Sequence, residues 1–161
     1  MDSSTAATTE QINTAPADVV VRGNASGFLQ EVVSGKHDLR ADEPVSVGGG
    51  DAGPSPYDYL LIALGVCISM TVGLYARRKQ WPLENITVSL RHSRIHAKDC
   101  EECETKEGML DRIETEIGLT GSLSSEQRAK LMEIAAKCPV HRTLTSEINI
   151  RLRSAQKSSA S

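Results

Sequence analysis

Among 161 residues, four cysteines carry the side chains best suited to covalent chemistry: Cys67, Cys100, Cys103 and Cys138. A thiolate is both a nucleophile and a soft metal ligand, and it forms where cations or hydrogen-bond donors lower the thiol pKa. Cys138 lies in the run Lys137-Cys138-Pro139-Val140-His141-Arg142. Its basic neighbours favour thiolate, and Pro139 is placed to start a helical turn with Cys138 as N-cap. The same context also fits a plain capping residue before a proline. Cys67 sits in a long apolar run beside the small residues Gly65 and Ser69, which would let another group approach closely. A packing cysteine is the other reading there, since cysteine is among the most buried residue types.

Cys100 and Cys103 form a Cys-x-x-Cys preceded by His92 and His96. Two sulfur and two nitrogen donors at short spacing have the composition of a zinc site. Asp99, Glu101, Glu102 and Glu104 disfavour thiolates there, which speaks against a fast thioredoxin-type motif but tolerates a bound dication. A second dithiol relay and an acidic, solvated loop with incidental cysteines are the remaining readings.

These residues need elements to hold them. Residues 18–24, 27–35 and 36–47 read as three short strands punctuated by Gly23-Asn24 and Ser34-Gly35, a meander. After the loop Gly48-Gly49-Gly50-Asp51, Ser55 and Pro56 open a helix as N-cap and first helical residue. Residues 60–76, LLIALGVCISMTVGLYA, are almost continuously apolar. A membrane span needs about 20 such residues, and this run carries Gly65, Ser69, Thr71 and Gly73, so a buried central helix is expected. A helix apolar on all sides must be covered on all sides, and a second subunit is the natural supplier. Trp81-Pro82 ends it. ITVSLRHSRIHA then alternates with period two, putting Ile86, Val88, Leu90, His92, Arg94 and His96 on one face, and LDRIETEIGLTG does the same with Ile113, Thr115, Ile117 and Leu119. The two should pair. Ser124 and Gln127 have capping-box spacing ahead of a helix with the stripe Leu131, Ile134 and Ala135, and EINIRLR should close the chain as a strand. The class is α+β.

Composition narrows the function. A net charge of −3 offers nothing to DNA or anionic lipid, and five aromatic residues cannot build a base-stacking surface. No nucleic-acid or membrane partner is expected. The opening MDSSTAATTEQINTAPAD has no basic start, apolar stretch or cleavage signal, which favours a reducing, cytoplasmic address where cysteines are redox-active or metal-binding. Residues 1–17 and 155–161 are expected to be disordered tails around one domain at 18–154.

The stretch GPSPYDYLL through Cys67, followed far downstream by Cys138-Pro139-Val140-His141-Arg142, resembles the OsmC/Ohr family of thiol-dependent peroxidases. The runs DEPVSVGGGDAGPSPYDYLL, KQWPLENITV and EQRAKLMEIAAKCPVHRTL look like its OsmC-like, YhfA-type branch. The resemblance covers residues 18–152. It implies an intertwined homodimer with antiparallel sheets wrapped around long central helices, and two-cysteine reduction of organic hydroperoxides. Cys67 matches the peroxidatic position and Cys138 the resolving one, with an external dithiol as reductant and no required cofactor. The family sets a Glu and an Arg beside the reactive thiol. Here the Glu position is Tyr57, with Asp58 the nearest carboxylate, and Arg40, in the loop before the helix, is the candidate Arg with Arg22 in reserve. Tyr57, Tyr59 and His141 are the expected pocket walls.

Overall fold

The computed structural model describes residues 16–155, so nearly all of both expected tails lies outside the described residues. The chain divides into two compact units, one ending at Pro56 and one running from Tyr57.

In the first unit, β1 (Val19–Arg22), β2 (Gln30–Ser34) and β3 (His37–Ala41) form the expected antiparallel meander in the order β1-β2-β3. Gly35, at φ 58°, makes the tight turn between β2 and β3 that a side chain would resist. The third strand is shorter than its sequence suggested. Pro44 has no N–H for a ladder, and residues Val45–Val47 form a 3-10 turn instead. The sequence reading also overlooked Asp42, which organises this loop. It is buried, and its carboxylate accepts from the backbone N–H of Glu43 (2.8 Å), Gly50 (3.0 Å) and Ala52 (3.2 Å). Burial alone would push its pKa up, but the N–H donors of Ala52, Glu43 and Gly50 outweigh that and hold it below the usual carboxylate range. The contribution of this latch is therefore present above the ordinary carboxylate range and lost as pH falls through the depressed value.

In the second unit, α1 (Pro56–Lys79) begins at the expected proline. It ends where Gln80 takes φ 54° and the Trp81 N–H donates to the Ala76 carbonyl, 3.0 Å away. Trp81 then packs edge-on against Tyr75. β4 (Leu83–His96) and β5 (Met109–Gly121) pair antiparallel from Leu83↔Gly121 to His96↔Met109. α2 (Ser125–Ala135) follows with its capping box complete: the Gln127 N–H donates to Ser124 Oγ and the Ser124 N–H to the Gln127 side chain. α3 (Pro139–Leu144) closes the set. The core joins Leu64, Ile68, Val72 and Ala76 of α1 to Leu131 and Ala135 of α2 and to Cys138, with Ile86, Val88, Leu90, Ile113 and Ile117 of the hairpin packed beneath.

Two expectations change here. The single face predicted for β4 holds only as far as His92; Arg94 and His96 are exposed and Ile95 is half-buried instead. The reason is length. The first turn of α1 lies at His92, where Tyr57 stacks on the imidazole, and the strands run on past it with no helix to face. The segment EINIRLR is not a strand: Ile148, Ile150 and Leu152 are 51%, 78% and 94% exposed. A strand exists only where its N–H and C=O groups find a ladder, and this segment has none in the described residues.

Candidate active site

α1 carries Cys67 on the side facing the core. The helix comes close to β4 because Gly65 lacks a side chain: a Cβ there would lie 2.7 Å from Leu90 Cδ1. Cys67 is half-buried against the core, and Cys138, 71 positions later, is fully buried in it. The two meet. The Cys138 thiol donates a side-chain hydrogen bond to Cys67.

Cys138 is also the N-cap of α3, as its sequence context suggested, and its Sγ accepts from the His141 N–H at 3.3 Å. The basic neighbours do not make it a thiolate. Burial is the largest influence and pushes its pKa up, the hydrogen bond and negative charge of Cys67 push the same way, and the N–H groups of His141 and Val140 only partly oppose them. Lys137 and Arg142 are exposed, so their charges are screened by water rather than focused on the sulfur.

A cavity of about 420 Å³ opens against the same helices, and neither cysteine is in its lining. Leu64 and Ile68 of α1, alternate residues Asp111, Ile113, Thr115 and Ile117 of β5, Met132, Ala135 and Ala136 of α2, and His141, Leu144 and Thr145 around α3 line it. Of the three expected pocket walls, His141 is in this lining and Tyr57 and Tyr59 are not. Tyr57 instead stacks on His92 with ring centroids 4.4 Å apart. Asp58 lies in the first turn of α1. Arg40 is on β3 rather than in a loop, opposite Glu31 of β2, within the first unit.

The four residues read as zinc donors do not gather. Cys100 and Cys103 are joined in a disulfide, and His92 Nε2 is 2.8 Å from Asp111 Oδ1. No group of three or more His, Cys, Asp or Glu able to hold a metal occurs among the described residues. A disulfide has no thiolate to offer a metal, and with His92 committed to Asp111 the donor set loses its geometry.

Asp111 was missed by sequence reading, although strand pairing could have found it: it stands directly across from Arg94, 3.9 Å from the guanidinium. Arg128 was missed too. Its guanidinium donates to the carbonyls of Leu119 (2.7 Å) and Gly121 (3.0 Å), tying α2 to the end of β5.

Fold and site together define an α+β thiol protein in which a helix-borne cysteine meets a helix-capping cysteine over an antiparallel hairpin. The chain belongs to the family of OsmC-like proteins, whose model matches residues 48–153. It is similar in structure to the OsmC-like protein of Mycoplasma pneumoniae (20% identity, 81% of this chain and 88% of that one, TM-score 0.62). It is also similar to the organic hydroperoxide resistance protein OhrB of Bacillus subtilis (17% identity, 81% and 91%, TM-score 0.55). A third similar structure is the organic hydroperoxide resistance protein OsmC of Legionella pneumophila (16% identity, 79% and 87%, TM-score 0.57). No curated protein matches the chain by sequence.

Proposed function

We propose that this protein is a cytoplasmic thiol-dependent peroxidase that reduces organic hydroperoxides with Cys67 and Cys138. The observation that carries the reading is the side-chain contact between two cysteines far apart in sequence. Family membership and the two similar structures named for organic hydroperoxide resistance support a redox, peroxide-handling role.

The Cys67 thiolate attacks the outer peroxide oxygen, the O–O bond breaks, and the alkoxide leaves as alcohol after taking a proton. Cys67 is left as a sulfenic acid. Cys138, kept protonated by burial and by the charge on Cys67, does not compete for peroxide. Once Cys67 is oxidised, the Cys138 sulfur attacks it, water departs and a disulfide forms, which an external dithiol reopens. By the family resemblance, the roles of stabilising Arg and of its carboxylate fall to Arg40 and Asp58, and Arg40→Gln tests the first of these. The apolar cavity at His141 takes the alkyl chain.

We infer further that the working form is a homodimer. Ile62, Val66, Met70 and Leu74 make an exposed apolar stripe along α1, each at least 42% exposed. A second copy is the simplest cover for it.

The test is consumption of cumene hydroperoxide by the reduced protein in the presence of a dithiol. Turnover by the wild type is expected, with Cys67→Ser inactive, Cys138→Ser giving a single turnover before over-oxidation, and Arg40→Gln slowed by about a hundredfold or more. No consumption by the reduced wild type would remove the reading.

A further inference from the structure

We propose that the Cys100–Cys103 disulfide is a second, independent thiol–disulfide exchange site, attacked at Cys103 and selective for cationic thiols over anionic ones. The disulfide closes the turn between β4 and β5. Its two sulfurs differ in access. Cys100 is 4% exposed, held in by the bond from its own N–H to the Ala97 carbonyl at 3.1 Å, whereas Cys103 is only half-buried.

Position makes the site separate from the Cys67–Cys138 pair. α1 runs along β4 with Gly65 against Leu90 and Tyr57 against His92, so Cys67 lies on the far side of Gly65 from the turn. From Leu90 to His96 the strand alone rises about 20 Å. Sulfurs that far apart do not exchange directly, and the pair must therefore react with something outside the chain.

Charge says what that is. Asp99, Glu101, Glu102, Glu104 and Glu107 surround the turn against only Lys98 and Lys106, and the Lys106 ammonium donates to the Glu101 carbonyl. All seven side chains are exposed, so they set the field an arriving thiolate meets. A reductant carrying extra negative charge is repelled, while an amine-bearing thiol is drawn in. In the exchange the incoming thiolate bonds to Cys103 Sγ and the bond to Cys100 breaks. Cys100 leaves with the electron pair and takes a proton from water. A second thiol then displaces the mixed disulfide, so two external thiols become one disulfide and the protein gains two thiols. On the cytoplasmic reading such a disulfide is a redox-responsive element, since persistent structural disulfides are rare in that compartment.

The experiment uses Cys67→Ser/Cys138→Ser, which isolates this pair and makes the outcome independent of peroxidase activity. Air-equilibrated protein is treated with cysteamine or 2-mercaptoethanesulfonate, thiols are trapped with iodoacetamide, and mass is read over time. Two alkylated cysteines are expected on reduction. Per thiolate, cysteamine should react about tenfold faster at low ionic strength, with the ratio near one in high salt. Glu101→Gln/Glu102→Gln/Glu104→Gln should also bring the ratio toward one, and Cys100→Ser, which leaves Cys103 a lone thiol, should form a mixed disulfide there with cystamine, the disulfide of cysteamine, releasing one cysteamine. Free thiols in the air-equilibrated protein, reduction only in denaturant, or equal rates for the two thiols would overturn the proposal. Should the double variant not fold, peptide mapping of the wild type gives the same readout at the same two cysteines.

Discussion

Cys138 shows how a local sequence can name a residue and still mislead about its state. Its place before Pro139 made the N-cap legible, because proline fixes where a helix can begin. Its ionisation was not legible, because that depends on where the chain buries the sulfur, and Lys137 and Arg142 point to water. The consequence can be measured. A thiol whose pKa is raised on folding adds stability that is full below the ordinary thiol range and lost as pH climbs through the raised folded value. Cys67→Ala removes the neighbour whose charge and hydrogen bond help raise it, so Cys138 should titrate lower and alkylate faster at mildly alkaline pH than in the wild type. A rate-against-pH profile for alkylation at Cys138 checks this, and an unchanged profile would mean that burial acts alone. Asp42 is the reverse case: nothing in its neighbours Ala41 and Glu43 announces a carboxylate holding three backbone N–H groups.

Elements were more legible than side-chain states wherever periodicity and punctuation agreed. The meander, the start of α1 at Pro56, the pairing of β4 with β5 and the capping box of α2 follow from alternation, proline and Ser124 spacing. The closing strand did not form because alternation describes a face and not a partner, and the outer end of β4 lost its buried face because the helix stops short of it. One backbone position at the opposite end of the hairpin is demanding. Gly121 has φ 124°, and a Cβ there would overlap the Pro82 carbonyl oxygen. Gly121→Ala should destabilise the protein by about 1–3 kcal/mol or more, read as a lowered midpoint in urea with unchanged slope. Arg128, which donates to the Gly121 carbonyl, should lose that grip in the variant.

At the scale of the molecule, α1 is long and apolar enough to cross a membrane by length and composition, yet one of its faces belongs to a protein core. The all-round apolarity read from sequence thus resolves into a stripe packed on β4 and α2 and a stripe left outside. Met70, 68% exposed at the middle of the outer stripe, is the place to test assembly. Met70→Lys is expected to shift a dimeric mass in light scattering to a monomeric one while the folded core persists; a monomeric wild type would end the dimer reading. One consequence reaches from a single atom to the shape of the whole binding face. The sulfur that caps α3 is also the sulfur proposed to close the bond with Cys67, so a shift of that sulfur toward Cys67 would lengthen its contact with the His141 N–H. Each catalytic cycle would then carry a helix–coil event: oxidation weakens the first turn of α3 and loosens the wall formed by His141, Leu144 and Thr145, and reduction winds it back. Product alcohol would leave while the wall is loose, so that the redox state keeps time for the cavity.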